Sequence, residues 1–250
     1  MGTPHILDIS NEKDMRTLIT PSTPVDLEDR ASVKVSCMQL VQALYTLIQK
    51  NHAKPAGLSA IQLGIPQQMF ALHSHIKGKP VCLVFVNPEL RIIGNDVADD
   101  WAGCFSIDFL RVRVPRPTKI RITANIFKVD GTTCASLGRQ AWHMTDADAL
   151  IVQHEVDHLK GVVTLDYVPA TELRAFIATK GLWQDPQGHS VFNVPQAYRQ
   201  QGRKTKMINE PLAQDQLDTL SSFLRLTWCR IPRPAFDPRR FFSNDVDYYL

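Results

Sequence analysis

Long apolar runs are missing from this 250-residue chain. The longest, Val81 to Val86, has the length of a strand, and nothing approaches the ~18 consecutive apolar residues that a membrane-spanning helix needs. Closely paired cysteines are missing too. The five present, Cys37, Cys82, Cys104, Cys134 and Cys229, stand far apart, are odd in number and form no CxxC, which argues against a secreted disulfide framework. An acid-poor leader is absent: Asp8, Glu12 and Asp14 fall within the first twenty residues. The expected compartment is the cytoplasm, unless a leader has been removed. Gly2 follows Met1, but Ile6 stands where a myristoylation signal wants Ser or Thr. A large net charge is also lacking, the formal value being +3. Its distribution is uneven, because nine Lys/Arg face four Asp/Glu between Arg199 and Arg240. Such a basic segment suits an anionic surface such as RNA, or equally an ordinary solvated face. With 44% apolar residues, the composition is that of a globular protein with one sizeable core and an appendage.

Against these absences stands QHEVDHLKG, residues 153 to 161. His154 and His158 are four apart, so a helix turns both to one side, where they can grip one cation. Glu155, next to the first, can hydrogen-bond a water at that cation without being a ligand. Thr145 with Asp148 resembles a capping box, and Gly161 stands where a helix ends. Ala147, Leu150, Ile151, His154 and His158 form one stripe, which the spacing predicts to be the buried face. A catalytic site generally takes three protein ligands and leaves one position open. Downstream, Asp166 and Glu172 are available for the third; upstream, Cys104 in WAGCFSI is the more attractive as a thiolate.

In chain order, residues 1 to 30 are weakly periodic and expected to be extended. Val33 to Lys50 has helical spacing, ended by Asn51 and Pro55. Gly57 to Gln67 reads as a loop around one long amide, Gln62. Met69 to His73 and Pro80 to Val86 read as strands joined at Gly78, with Asn87-Pro88 breaking the second. Lys119 to Asp130 alternates and ends in Asp-Gly, a strand and turn. A less regular stretch then runs to Met144. Glu172 to Lys180 reads as a helix closed by Gly181, and Leu217, Leu220, Phe223, Leu224 and Trp228 as a second helical stripe. The order predicts an α+β fold with antiparallel sheet.

Three stretches in fixed order, PAGLSAIQ (55–62), AGCFS (102–106) and HEVDHLKG (154–161), resemble the peptide deformylase motifs GxGxAAxQ, EGCLS and HExDH followed by Leu and Gly. The resemblance implies a divalent metal, iron(II) in much of the family with zinc, nickel or cobalt as substitutes, on Cys104, His154 and His158. It implies Glu155 as general base and acid, and Gln62 with the backbone N–H of Phe105 at the oxyanion. Gly57 and Arg111 would be substrate contacts, with Leu150, Ile151 and Ala147 lining a methionine pocket. The implied reaction removes formate from the formyl-methionine of newly made polypeptides, which implies a mitochondrion or other organelle if a leader has been removed. The extent of the resemblance implies antiparallel sheets around a central metal-binding helix, with residues 1–168 as the catalytic domain and 169–250 as a mainly helical extension with a basic, Pro-rich tail. The sequence departs from the pattern at Pro55, Ser59, Ala102 and Phe105. Loss of the Glu at 102 leaves Arg116 in need of another partner, for which Asp108 and Asp148 are candidates. The alternatives are a catalytically weak binding or assembly factor, for example on ribosomes, and a metal-dependent peptidase.

Overall fold

The computed structural model describes residues 5–51, 57–76, 79–182, 192–193 and 211–228. The N-terminal approach is not wholly extended: α1 (Glu12–Leu18) starts where the Asn11 side chain accepts from the Lys13 and Asp14 amides, and it buries Met15 and Leu18. Seven residues are too few to display a helical period, so its cap is the only local signal. Helix α2 (Arg30–Asn51) buries Val33, Cys37, Leu40, Val41, Leu44 and Leu47. By length and composition alone its 30–49 stretch could cross a membrane, but here its apolar side packs on the sheet.

Strand β1 (Gly57–Ser59) and a 3-10 turn (Ala60–Leu63) replace the expected loop. Strands β2 (Met69–Ile76) and β3 (Lys79–Ile92) form the anticipated hairpin. Asn87-Pro88 does not end β3. It makes a bulge in which Asn87, at φ 50°, exchanges side-chain hydrogen bonds with the backbone of Val25, and the strand resumes at Glu89. A further hairpin, β4 (Val97–Cys104) with β5 (Ile107–Pro117), carries Cys104 at its tip. Strand β6 (Lys119–Asp130) then pairs with β7 (Thr133–Thr145), where the sequence shows no regular pattern. Because β7 lies at the sheet edge and is mostly exposed, it has little alternation to show.

Helix α3 (Asp146–Leu159) carries the histidines, and α4 (Ala170–Ala178), β8 (Phe192–Asn193) and α5 (Gln214–Trp228) follow. Two antiparallel sheets result, ordered β1-β2-β3-β6-β7 and β4-β5-β8, so the α+β expectation holds. One face of the larger sheet packs Phe70, Phe85, Ile120 and Ile122 against Ala149, Val152, Val156 and Leu159 of α3. The opposite face meets α2 through Cys82, Val84, Val86 and Val129. A third cluster joins α1 and β5 to Leu173 and Phe176 of α4 and Leu217, Leu220 and Phe223 of α5, so the two C-terminal helices bury their stripes on the same core. Most of 182–211, the tail beyond 228, Pro55 and Cys229 lie outside the described residues.

Candidate metal centre

The start of α3 differs from the sequence expectation. Thr145 makes no side-chain cap, and Asp148 accepts instead from the Ser74 hydroxyl at 2.6 Å, tying the first turn to β2. The most buried side of α3 is also not the histidine stripe. Ala149, Val152, Val156 and Leu159 fill the core, while Ala147 is exposed and Leu150, Ile151 and His154 are half-buried. The ligand stripe therefore borders the core and opens outward at its N-terminal end, as access for a substrate requires. Gly161 ends the helix as expected. Its φ is +67°, and a Cβ there would stand 2.6 Å from the Ile19 carbonyl oxygen.

The tip of the β4–β5 hairpin meets this stripe. One donor atom each from Cys104, His154 and His158 lies within 4.8 Å of the others, and Cys104 Sγ is 3.3 Å from His158 Nε2. The His rings meet edge to face at 4.8 Å. Burial holds His154 well below the ordinary imidazole range and lowers His158 to about 4, so both keep a lone pair to offer. Burial also pushes the Cys104 thiol up to about 12, a cost that a bound cation would reverse by favouring the thiolate. One soft sulfur and two neutral imidazoles suit a divalent transition metal, and three protein donors leave a coordination position for chemistry. Asp166 is no competitor as ligand, because its carboxylate accepts from the Val163 amide in its own turn.

Glu155 is 2% exposed, and burial lifts its carboxyl from 4.5 to about 8. The Ser59 hydroxyl holds it, 2.7 Å from Oε2 and 2.9 Å from the Glu155 carbonyl oxygen. Ser59, one of the departures from the motif pattern, is fully buried and faces the carboxylate. Gly57 is placed by the same side chain: a Cβ there would come within 2.5 Å of Glu155 Cγ and Oε1. Gln62 receives the Ser59 amide on Oε1 at 3.0 Å, which directs its NH₂ towards Cys104 Sγ at 3.6 Å and Ser106 Oγ at 3.2 Å. Phe105 is half-buried, its ring packed on the α2 cluster. Arg111 lies beside the hairpin tip, close enough that a Cβ on Gly103 would meet Nη1 at 2.7 Å. Ile151 packs against the α3 cluster.

Arg116 has found its partner in neither Asp108 nor Asp148. At 5% exposed, it donates to Asp157 Oδ2 at 2.7 Å and to Tyr167 Oη at 3.3 Å, while the Tyr167 hydroxyl donates to Asp157 at 2.5 Å. The guanidinium also sits 5.0 Å over the Tyr167 ring. Ser59, Ser106, Asp157 and Tyr167 were not singled out as functional from the sequence. Asp157 lies inside HEVDH and was available to be read, whereas the serines carry no local signal.

The family profile described as Polypeptide deformylase matches residues 5–174. A peptide deformylase of Prochlorococcus marinus is 30% identical over 178 residues, covering 69% of this chain and 75% of that protein. One from Agrobacterium fabrum is 32% identical over 117 residues, covering 45% of this chain and 62% of that protein. The crystal structure of a Synechococcus elongatus peptide deformylase in complex with actinonin superposes at TM-score 0.51 and 25% identity, covering 76% of this chain and 91% of that one. With well over half of its sequence matched by the family profile, this chain belongs to the polypeptide deformylase family.

Proposed function

We propose that the chain releases formate from the N-terminal formyl-methionine of newly made polypeptides, using one divalent metal, iron(II) in the cell, on Cys104, His154 and His158. The observation that carries this is the buried Glu155 carboxyl, fixed by Ser59 on the turn of helix that presents both histidines. A cation bound there would supply Lewis acidity. Glu155 takes the proton from the attacking water and returns it to the departing amine; burial raises its carboxyl, and a cation on the neighbouring donors would draw it back down, so that it is ionised when it acts as base. Gln62, its amide orientation set by the Ser59 N–H, and the Phe105 backbone N–H offer donors to the oxyanion. Half-buried Leu150 and Ile151 border the methionine side chain, while Gly57 and Arg111 flank the peptide. The site of action is a compartment where synthesis begins with formyl-methionine: a bacterial cytoplasm, a mitochondrion or another organelle.

A silent binding or assembly factor would be favoured by Ala102 had it left Arg116 unpaired. Its ion pair with Asp157 and its contacts with Tyr167 remove that difficulty and support the enzyme. Formate release from a formyl-Met peptide by anaerobically prepared, iron-loaded protein is the test, with Glu155→Gln as control. Release that the control loses supports the proposal. Metal-loaded protein that releases none points to the binding role, and cleavage of unformylated peptides at the same rate points to a peptidase.

A further inference from the structure

Among the described cysteines, Cys37, Cys82 and Cys104 are buried and Cys134 is half-buried. Cys104 belongs to the metal centre, and the chemistry there uses none of the others. Cys37 faces the larger sheet from α2, and Cys134 lies near the start of the edge strand β7, where it packs against the same cluster. The register sets Cys134 beside Val129 of β6, and Val129 beside Cys82 of β3, so the three lie on the side that α2 covers. Helix α2 approaches β7 to within 8 Å between Cα atoms. The Cys37 thiol donates a hydrogen bond to the Cys134 sulfur across this junction. Thiols in contact between a helix and a strand that pack this closely stand near the geometry of a disulfide, whose Cα atoms are ~4.4–6.8 Å apart. Cys82 is engaged elsewhere, since its sulfur accepts from the Tyr45 hydroxyl.

We propose that Cys37 and Cys134 are a modification site, a dithiol that a peroxide closes to a disulfide joining α2 to β7. Cys134 meets the oxidant, because it is the more exposed of the two and stands on the sheet edge. Burial raises both thiols. Cys37 rises furthest, while the Cys37 hydrogen bond and the Lys34 ammonium draw Cys134 part of the way back. Cys134 therefore ionises first, and its thiolate attacks one peroxide oxygen. The O–O bond breaks, Cys134 becomes a sulfenic acid, and the other oxygen leaves as hydroxide, which takes up a proton to give water. Cys37, already in contact, then attacks the sulfenic sulfur. The S–O bond breaks, the S–S bond forms, and the Cys37 proton leaves in a second water. Two thiols and one peroxide give one disulfide and two waters.

The test treats the full, zinc-loaded chain with hydrogen peroxide at pH 8, zinc keeping Cys104 occupied as a ligand. Remaining thiols are alkylated under denaturing conditions, and unreduced digests are read by mass spectrometry. A linked pair of peptides containing Cys37 and Cys134 should be the main product, and dithiothreitol should abolish it. Cys37→Ala should leave Cys134 as a sulfenic acid that dimedone captures, and Cys134→Ala should leave Cys37 unoxidised. The bridge closes a loop of roughly 100 residues, so the oxidised parent should melt about 5–15 °C above the reduced one, a rise that both variants lack. Three results would overturn the proposal: Cys134 oxidised while Cys37 in the parent still alkylates, a bridge to Cys82 in place of this one, or both thiols left unmodified by peroxide.

Discussion

Glu155→Gln should make the metal-free protein more stable at alkaline pH while it destroys turnover. Burial lifts the Glu155 carboxyl from 4.5 to about 8, with the Ser59 hydroxyl opposing the rise. A folded-state value above the unfolded one means that the stability contributed by the protonated carboxyl is fully present below about pH 4.5. It is lost as pH climbs through about 8. Each pH unit across that window is worth at most about 1.4 kcal/mol, so on the order of 2–4 kcal/mol has gone by pH 8. Glutamine keeps the volume and an oxygen to accept from Ser59, and it does not ionise. Paired melts of chelator-treated parent and variant should coincide at pH 5 and separate steadily to pH 8, where the variant should melt about 5–10 °C higher. A melting difference that stays flat from pH 5 to pH 8 would refute the reasoning, since burial of an ionisable carboxyl predicts the slope. On the iron-loaded protein the same change should lower formate release by about 10²- to 10⁴-fold, the usual contribution of a positioned base.

Gly57→Ala forces a Cβ to within 2.5 Å of Glu155, so the carboxylate must leave its bond to Ser59. The rate should fall by about 10²-fold or more with metal content intact, measured by metal analysis beside turnover. Asp157→Ala strands a guanidinium that is 5% exposed and should cost about 3–5 kcal/mol in denaturant unfolding, with Asp157→Asn milder. Cys104→Ala should abolish stoichiometric metal binding, read by elemental analysis, since it removes one of three donors. Iron-loaded protein should lose activity in air with oxidation at Cys104, detected by mass spectrometry, while zinc-loaded protein should lose it far more slowly.

The site divides between what neighbours in the chain can encode and what only distant segments can supply. His154, Glu155 and His158 were legible because one helical turn relates them, and Gly161 because a helix end needs a positive φ. The β2–β3 hairpin, β6, α2, α4 and α5 were legible through their periods. Strand β7 was not, because an edge strand buries too little to impose alternation. Nor was α1, whose seven residues rest on a cap and on contacts with distant segments. The bulge at Asn87-Pro88 read as a strand end because the bond that carries β3 through it comes from Val25, sixty-two residues away.

The sequence by itself determined the donor types, the α+β class and the family resemblance, since these rest on local spacing and on motifs in fixed order. Tertiary structure alone decided that Ser59 holds Glu155, that Gly57 is small for the sake of that carboxylate, and that Arg116 pairs with Asp157 where Ala102 offers no acid. Those are contacts between segments 41 to 98 residues apart, brought together when α3 packs against β1 and β5. No local period encodes a partner at that range, because hydrophobic burial chooses which elements meet and leaves the polar groups to pair with whatever that packing brings within reach.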